Sequence, residues 1–192
     1  VAVFNDGHTG GNIYNDKEDV FLKGDLHSLT LFPTDQILLG RVLADRGGFY
    51  LHSCGVVMGA KGLLFVGHSE AGKSTMARML KGKAKVLCDD RIIVRKSVRG
   101  YNIYGTWSHG DVAEVSADSA PLGAIFFLEK ARENTIVRIS DKKEITQRLL
   151  ACLIKPFVTS DWWQKTLSVI DGLPETVPCY ILRFDKSGRV LN

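Results

Sequence analysis

A β-rich mixture of helix and strand, short of a regular βαβαβ alternation, is the fold class this sequence predicts. Three observations carry the prediction. Strand-like runs outnumber helical ones and often follow each other directly. The run "KGLLFVGHSEAGKSTMARML" sets a short apolar strand, a glycine loop and an amphipathic helix in succession. Hydrophobic content of 45% and charged content of 24% are close to globular averages. A length of 192 residues fits one domain, or one with a small extra lobe. The reading divides it into an N-terminal β/helix portion, 1–48, packed on a core, 49–192.

Residues 1–24 are rich in Gly, Asn and Asp and read as turns between short strands, with a hairpin or bend at Gly7–Gly11. Leu26–Phe32 alternates apolar and polar residues as a strand does. A helix follows from Pro33 or Thr34, with Ile37, Leu38, Val42 and Leu43 on its apolar face and Gly47 as its stop. Phe49–Met58 and Lys61–Val66 are strands joined by a tight Gly59-Ala60 hairpin. A helix over Lys73–Leu80 turns Met76, Met79 and Leu80 inward. Ala84–Asp90, Arg91–Lys96, Tyr101–Gly105, Leu122–Lys130 and Asn134–Ser140 read as strands. Asp141 and Glu144 have capping-box spacing and open a helix to Ile154. A second helix runs over Ser160–Asp171, and Pro178–Phe184 closes the chain as a strand. Of Phe157, Trp162 and Trp163, an interface or acceptor-pocket role is weighed against one ring in the core and one packed at the surface. The second is preferred.

The charge balance narrows the partners. Net charge is 25 − 21 = +4, and no Lys/Arg run exceeds two residues. The densest basic stretch, "KGKAK" at Lys81–Lys85, reads as a solvated helix end rather than a nucleic-acid patch. Cys54, Cys88, Cys152 and Cys179 form no C-x-x-C and have no histidine at zinc spacing, so they read as buried free thiols. No stretch of 18 apolar residues is present. The expectation is a cytoplasmic protein with no nucleic-acid or membrane partner.

"GHSEAGKS" fits G-x-x-x-x-G-K-[ST], the P-loop, and its context is the right one. Gly67 and Gly72 let the backbone turn so that several N–H groups face one phosphate. The helix N-terminus adds partial positive charge. Lys73 reaches the β- and γ-phosphates, and the Ser74 hydroxyl can sit on Mg²⁺. The nucleotide-binding residues are therefore Gly67, His68, Ser69, Glu70, Ala71, Gly72, Lys73, Ser74 and Thr75. Glu70 is adverse to a polyphosphate unless it points outward.

A carboxylate has to complete such a site. "VLCDD" ends in Asp89-Asp90, only 16 residues after Lys73, which leaves room for a short helix, a turn and a returning strand. Two adjacent carboxylates allow two roles, one toward the metal and one toward an acceptor hydroxyl. The rival is Glu129, at the end of "AIFFLE"; it reads more simply as a strand-end surface residue.

The run from Leu51 to Val94 carries, in order, a histidine, a hairpin, the loop, a short helix and a strand ending in Asp-Asp-Arg. It resembles the catalytic domain of HPr kinase/phosphorylases, and more distantly the nucleotide-binding core of phosphoenolpyruvate carboxykinases. "GTWSHGD", "SAPLGAIFFLEK" and "VPCYILRF" look like small HPr kinase-like proteins. The resemblance implies an HPr kinase/carboxykinase-like core. It makes Asp89 the base for a serine hydroxyl and Asp90 a metal ligand, and it brings His52, 15 residues before Gly67, near the phosphates. It suggests Asp111 as a further metal ligand, His109 as a substrate contact and Arg132 or Arg138 on the γ-phosphate. His52, His109 and Asp111 also read as ordinary strand or turn residues. The glycine-rich stretch that follows the aspartates in true HPr kinase/phosphorylases has no match here, so HPr itself is a doubtful acceptor.

The expectation is an ATP- and Mg²⁺-dependent kinase acting on a hydroxyl, serine foremost, of a protein or peptide. Lys73, Asp89 and His52 would be catalytic; Ser74, Asp90 and Asp111 would face the metal. The alternatives are a nucleotide-binding regulatory protein without transfer and a simple P-loop ATPase using Glu129. A homo-oligomer is compatible with each.

Overall fold

Strand register, more than helix packing, decides where the candidate site residues of this chain meet. A computed structural model describes residues 1–7, 9–14, 19–22, 34–156, 159–185 and 187–191. In chain order the elements are β1 (Ala2–Phe4), β2 (Gly11–Ile13), α1 (Asp19–Leu22), α2 (Thr34–Asp45), β3 (Gly48–Met58), β4 (Lys61–Val66) and α3 (Lys73–Leu80). Then come β5 (Lys85–Cys88), β6 (Arg91–Ser97), β7 (Gly100–Tyr104), β8 (Ser119–Lys130), β9 (Thr135–Ile139), α4 (Lys142–Cys152), α5 (Ser160–Asp171) and β10 (Cys179–Phe184). The fold is a mixed, β-rich α/β arrangement, as the sequence predicts. β1 and β2 form the N-terminal hairpin. The strand expected over Leu26–Phe32 lies outside the described residues, as does Phe157.

Eight strands form one sheet in the order β4-β3-β6-β7-β8-β10-β9, with β5 added against β3. A further parallel pairing of β4 with β8 closes the first five into a ring. Two strands make this possible by changing partner midway. β3 pairs with β6 over Gly48–His52 and with β4 over Ser53–Met58. β8 pairs with β7 at Ser119–Pro121, then with β4, then with β10 up to Lys130. Gly59, at φ +58, makes the tight β3–β4 turn without strain.

Alternation along the strands divides the core in two. Leu64 and Val66 of β4 join Leu51, Ile92, Ile125 and Phe127 on one face, where α4 and α5 add Ile145, Leu149, Trp162 and Ile170. Phe65 turns the other way, to Cys54, Val56, Leu182 and Phe184, and α3 closes that face with Met76, Ala77 and Leu80. Full burial of Met76 and Leu80 contributes roughly 1.5–3 kcal/mol each. Ala77, rather than the half-buried Met79, completes the inner face of α3. Asp141 caps α4 by accepting from the amides of Lys143 and Glu144. The Glu144 carboxylate is engaged by Arg148. Trp162 is buried and donates to the Gly40 carbonyl of α2; Trp163 packs edge-on against it at 4.9 Å. All four cysteines are free and buried. Among the described residues, no helix is long and apolar enough to cross a membrane.

Candidate functional site

Two register facts bring the site together. Ser53 of β3 pairs with Val66, the last residue of β4, so the glycine loop begins beside His52. His52 itself pairs with Arg91, the first residue of β6. β5 and β6 lie one after the other against β3, and Asp89-Asp90 is the break between them. The Ser53 amide donates to the Asp90 carbonyl at 2.9 Å, which fixes that break. A third fact sets the opposite wall. β8 runs parallel to β4 and extends beyond it, carrying Lys130 past the loop.

The loop has the backbone that a phosphate cradle needs. Glu70 and Gly72 take positive φ, at 66° and 106°, and the Ala71 amide bonds to the His68 carbonyl. Such left-handed residues in a tight turn direct successive N–H groups into one hollow. A β-carbon on Gly72 would stand 2.6 Å from the Phe184 ring, and one on Gly67 would stand 2.5 Å from that of Ala71. Glu70 is exposed, so its charge meets solvent. Lys73 is 6% exposed and donates to the carbonyls of Gly67 and His68 at 3.1 and 2.9 Å. Burial holds its ammonium below the usual lysine range, against the opposing pull of Asp90 and Asp89.

The two aspartates have different surroundings. Asp89 is 1% exposed, and its carboxylate accepts from the amides of Gly110 at 2.6 Å and Val112 at 3.1 Å. Asp90 is half-buried and has a side-chain network. His52 Nε2 lies 3.0 Å from one oxygen, and the Ser108 hydroxyl donates to the other at 3.0 Å. Arg91 Nε lies 3.4 Å from Asp90, and Arg91 also donates to Ser108 at 3.1 Å. Burial alone would raise the Asp90 pKa, but the His52 bond, the Arg91 guanidinium and the Ser108 hydroxyl together bring it below the usual carboxylate range.

A cavity of about 440 Å³ is lined by His52, by Ser69, Glu70 and Gly72 to Thr75 of the loop, and by both aspartates, with Arg78, Gly110, Asp111 and Lys130 completing it. The sequence-predicted His52, Lys73, Ser74, Asp89, Asp90 and Asp111 therefore share one hollow. Asp111 is largely exposed and stands 3.5 Å from Arg78 at its edge. His109 is exposed and outside the lining, with Nδ1 at 3.0 Å from the Gly110 carbonyl. Arg132 and Arg138 are exposed and not part of the wall; the basic groups that join Lys73 there are Arg78 and Lys130. Arg78 was readable in principle, four residues after Ser74 on the same helix face. Lys130 was not, because only the parallel β4–β8 pairing brings it there. Sequence reasoning also missed Ser108. Glu129 is held by Arg148 and Arg183 at 3.0 Å each, away from the cavity.

The donor set suits a nucleotide phosphate with a hard cation. Mg²⁺ is commonly held by one or two carboxylates together with substrate phosphates. Among the described residues no three His, Cys, Asp or Glu side chains converge as a self-sufficient metal site. Ser74 and Asp90 with phosphate oxygens would make the shared kind.

The family model of the SynChlorMet cassette protein ScmC matches residues 32–192. No curated protein sequence matches the chain. Among solved structures, the chain is similar to the Hpr(Ser) kinase/phosphatase from Coxiella burnetii. Identity is 10% and the TM-score 0.41, over 74% of this chain and 89% of that one.

Proposed function

The chain belongs to the SynChlorMet cassette protein ScmC family, and we propose that it acts there as an ATP- and Mg²⁺-dependent phosphotransferase of the HPr kinase-like kind. Its acceptor would be a hydroxyl, serine foremost, of a protein or peptide other than HPr. The observation that carries the reading is the single cavity joining the Lys73 loop to the His52–Asp90 pair. Lys73, the loop amides, Arg78 and Lys130 hold the phosphates. Ser74 and Asp90 would hold Mg²⁺, which supplies charge neutralisation on the transferred group. Phosphoryl transfer asks mostly for positioning and electrostatics, so an ionised Asp90 beside the loop can serve both cation and acceptor.

The roles expected of the two aspartates change on this geometry. Both Asp89 oxygens are committed to the Gly110–Val112 backbone, so we assign Asp89 to positioning that loop. Asp90, with His52, takes the acceptor side. Asp111 faces Arg78 and is assigned to the rim. The test is transfer from γ-labelled ATP to candidate proteins, peptides and free serine. Lys73→Met and Asp90→Asn should abolish it; transfer undiminished in both would refute the proposal.

A second reading, a nucleotide-binding regulator without transfer, draws support from the enclosed state of Asp89. It expects ATP binding that survives both Asp→Asn changes and no phosphorylated product on any acceptor. The ATPase reading through Glu129 has lost its footing, since that carboxylate is paired with two arginines away from the cavity.

A further inference from the structure

A second hollow, of about 730 Å³, opens along α3 and shares Arg78 and Asp111 with the phosphate cavity. Ala77, Ala84, Val86 and Val112 contribute apolar lining, and the segment from Asp111 to Ser116 forms the facing wall. Its position relative to the loop is set by the helix. From Ser74 at the cradle to Lys81 in the groove is seven residues, a rise of roughly 10 Å. A ligand rooted by its phosphates at Lys73 and running along α3 past Arg78 enters this groove.

We infer that this groove holds the base and ribose of the nucleotide whose phosphates sit on the loop, an inference that rests on the nucleotide-binding reading above. The lining pairs small apolar side chains, Ala84, Val86 and Val115 among them, which suit a ring, with charged groups such as Lys81, Lys85 and Glu114, which suit ribose hydroxyls and ring edges. Ala84 and Val86 leave space for a flat ring. Arg78, at the junction of the two hollows, can reach a phosphate on one side and a ring face on the other. The phosphate cavity is lined mainly by charged and hydroxyl groups and offers a base no comparable apolar surface. Seating the nucleoside on the Arg78–Asp111 side also leaves the His52–Asp90 side free for the acceptor. The facing wall is anchored at both ends, by the Val112 amide on Asp89 and the Ser116 amide on the Leu87 carbonyl, so the groove is held open in a fixed shape; the exposed pairs Lys81 with Glu114 and Lys85 with Asp118 lie at its rim.

The test compares ATP with inorganic tripolyphosphate by calorimetry, using wild type and two groove-filling variants. Ala113→Trp lies at an exposed position of an irregular segment, and Ala84→Trp is at the half-buried foot of the groove. Melting temperature checks folding. Wild type should bind ATP more tightly than tripolyphosphate. Each folded variant should lose about tenfold or more for ATP while its tripolyphosphate affinity stays unchanged. Unchanged ATP affinity, or equal losses for the two ligands, would overturn the inference. So would variants that bind both ligands normally yet fail to phosphorylate the acceptor, which would give the groove to the acceptor instead. If wild type binds neither ligand, the phosphate-cradle reading itself fails and takes this one with it. If it binds tripolyphosphate and ATP equally well, only the groove assignment fails.

Discussion

Replacing Gly72 with alanine probes the loop and its support in one step. Gly72 sits at φ +106°, ψ 20°, just before the first residue of α3. An L-residue in left-handed backbone costs roughly 1–2 kcal/mol. The added β-carbon would also lie 2.6 Å from the Phe184 ring, which is 3% exposed and cannot swing into solvent. Overpacking of that kind costs roughly 1–3 kcal/mol. The sum is a loss of about 2–5 kcal/mol, together with a displaced loop. Gly59→Ala is the control, because Gly59 has a similar backbone requirement, at φ +58°, but nothing within 4 Å of the new carbon. It should cost roughly 1–2 kcal/mol and leave nucleotide binding intact. Urea unfolding gives both stabilities, provided the m-value is unchanged, and calorimetry gives ATP affinity. A Gly72→Ala protein no less stable than Gly59→Ala would refute the steric argument. One destabilised as expected yet binding ATP at wild-type affinity would refute the link between loop geometry and phosphate binding.

Lys73→Met should weaken ATP binding on the order of ten- to a hundredfold, the worth of a hydrogen bond to a charged group at about 1.5–3 kcal/mol; calorimetry measures it, and an unchanged affinity contradicts the cradle. Asp89→Asn leaves one oxygen for two amide donors, so it should cost roughly 1–3 kcal/mol in urea unfolding while ATP affinity holds; a wild-type stability would refute the anchoring role. The Asp90 carboxyl has a folded pKa below its unfolded value, so its contribution is fully present above the ordinary carboxylate range. That contribution is lost as pH falls through the folded value. The stability gap between wild type and Asp90→Asn should then close as pH falls below the ordinary carboxylate range; parallel curves down to pH 2 would contradict the His52–Asp90–Ser108 network.

Much of the molecule was legible before any coordinates. Periodicity located most of the strands and helices because half-buried strands and amphipathic helices write their buried faces into the order of residues. The loop was legible because its glycines, lysine and serine are contiguous. So was the acid pair, because little chain separates it from the loop. Glu70 illustrates the boundary: its adverse charge was visible in the sequence, while its exposure to solvent at the mouth of the cavity was not.

What the sequence determined by itself was everything local, namely the elements, the glycine loop before α3 and the short list of acids. What only the tertiary structure decided was who meets whom. His52 reaches Asp90 because β3 pairs with β6 in one register and with β4 in the next, and a slip of one residue would turn the histidine to the other face. Lys130 joins the cavity through a parallel pairing of strands far apart in sequence. Asp89 and Asp90 are neighbours of identical chemistry, yet one is enclosed by the amides of Gly110 and Val112 and the other faces His52. Their different surroundings come from long-range packing and the desolvation that goes with it, and no window of adjacent residues contains either.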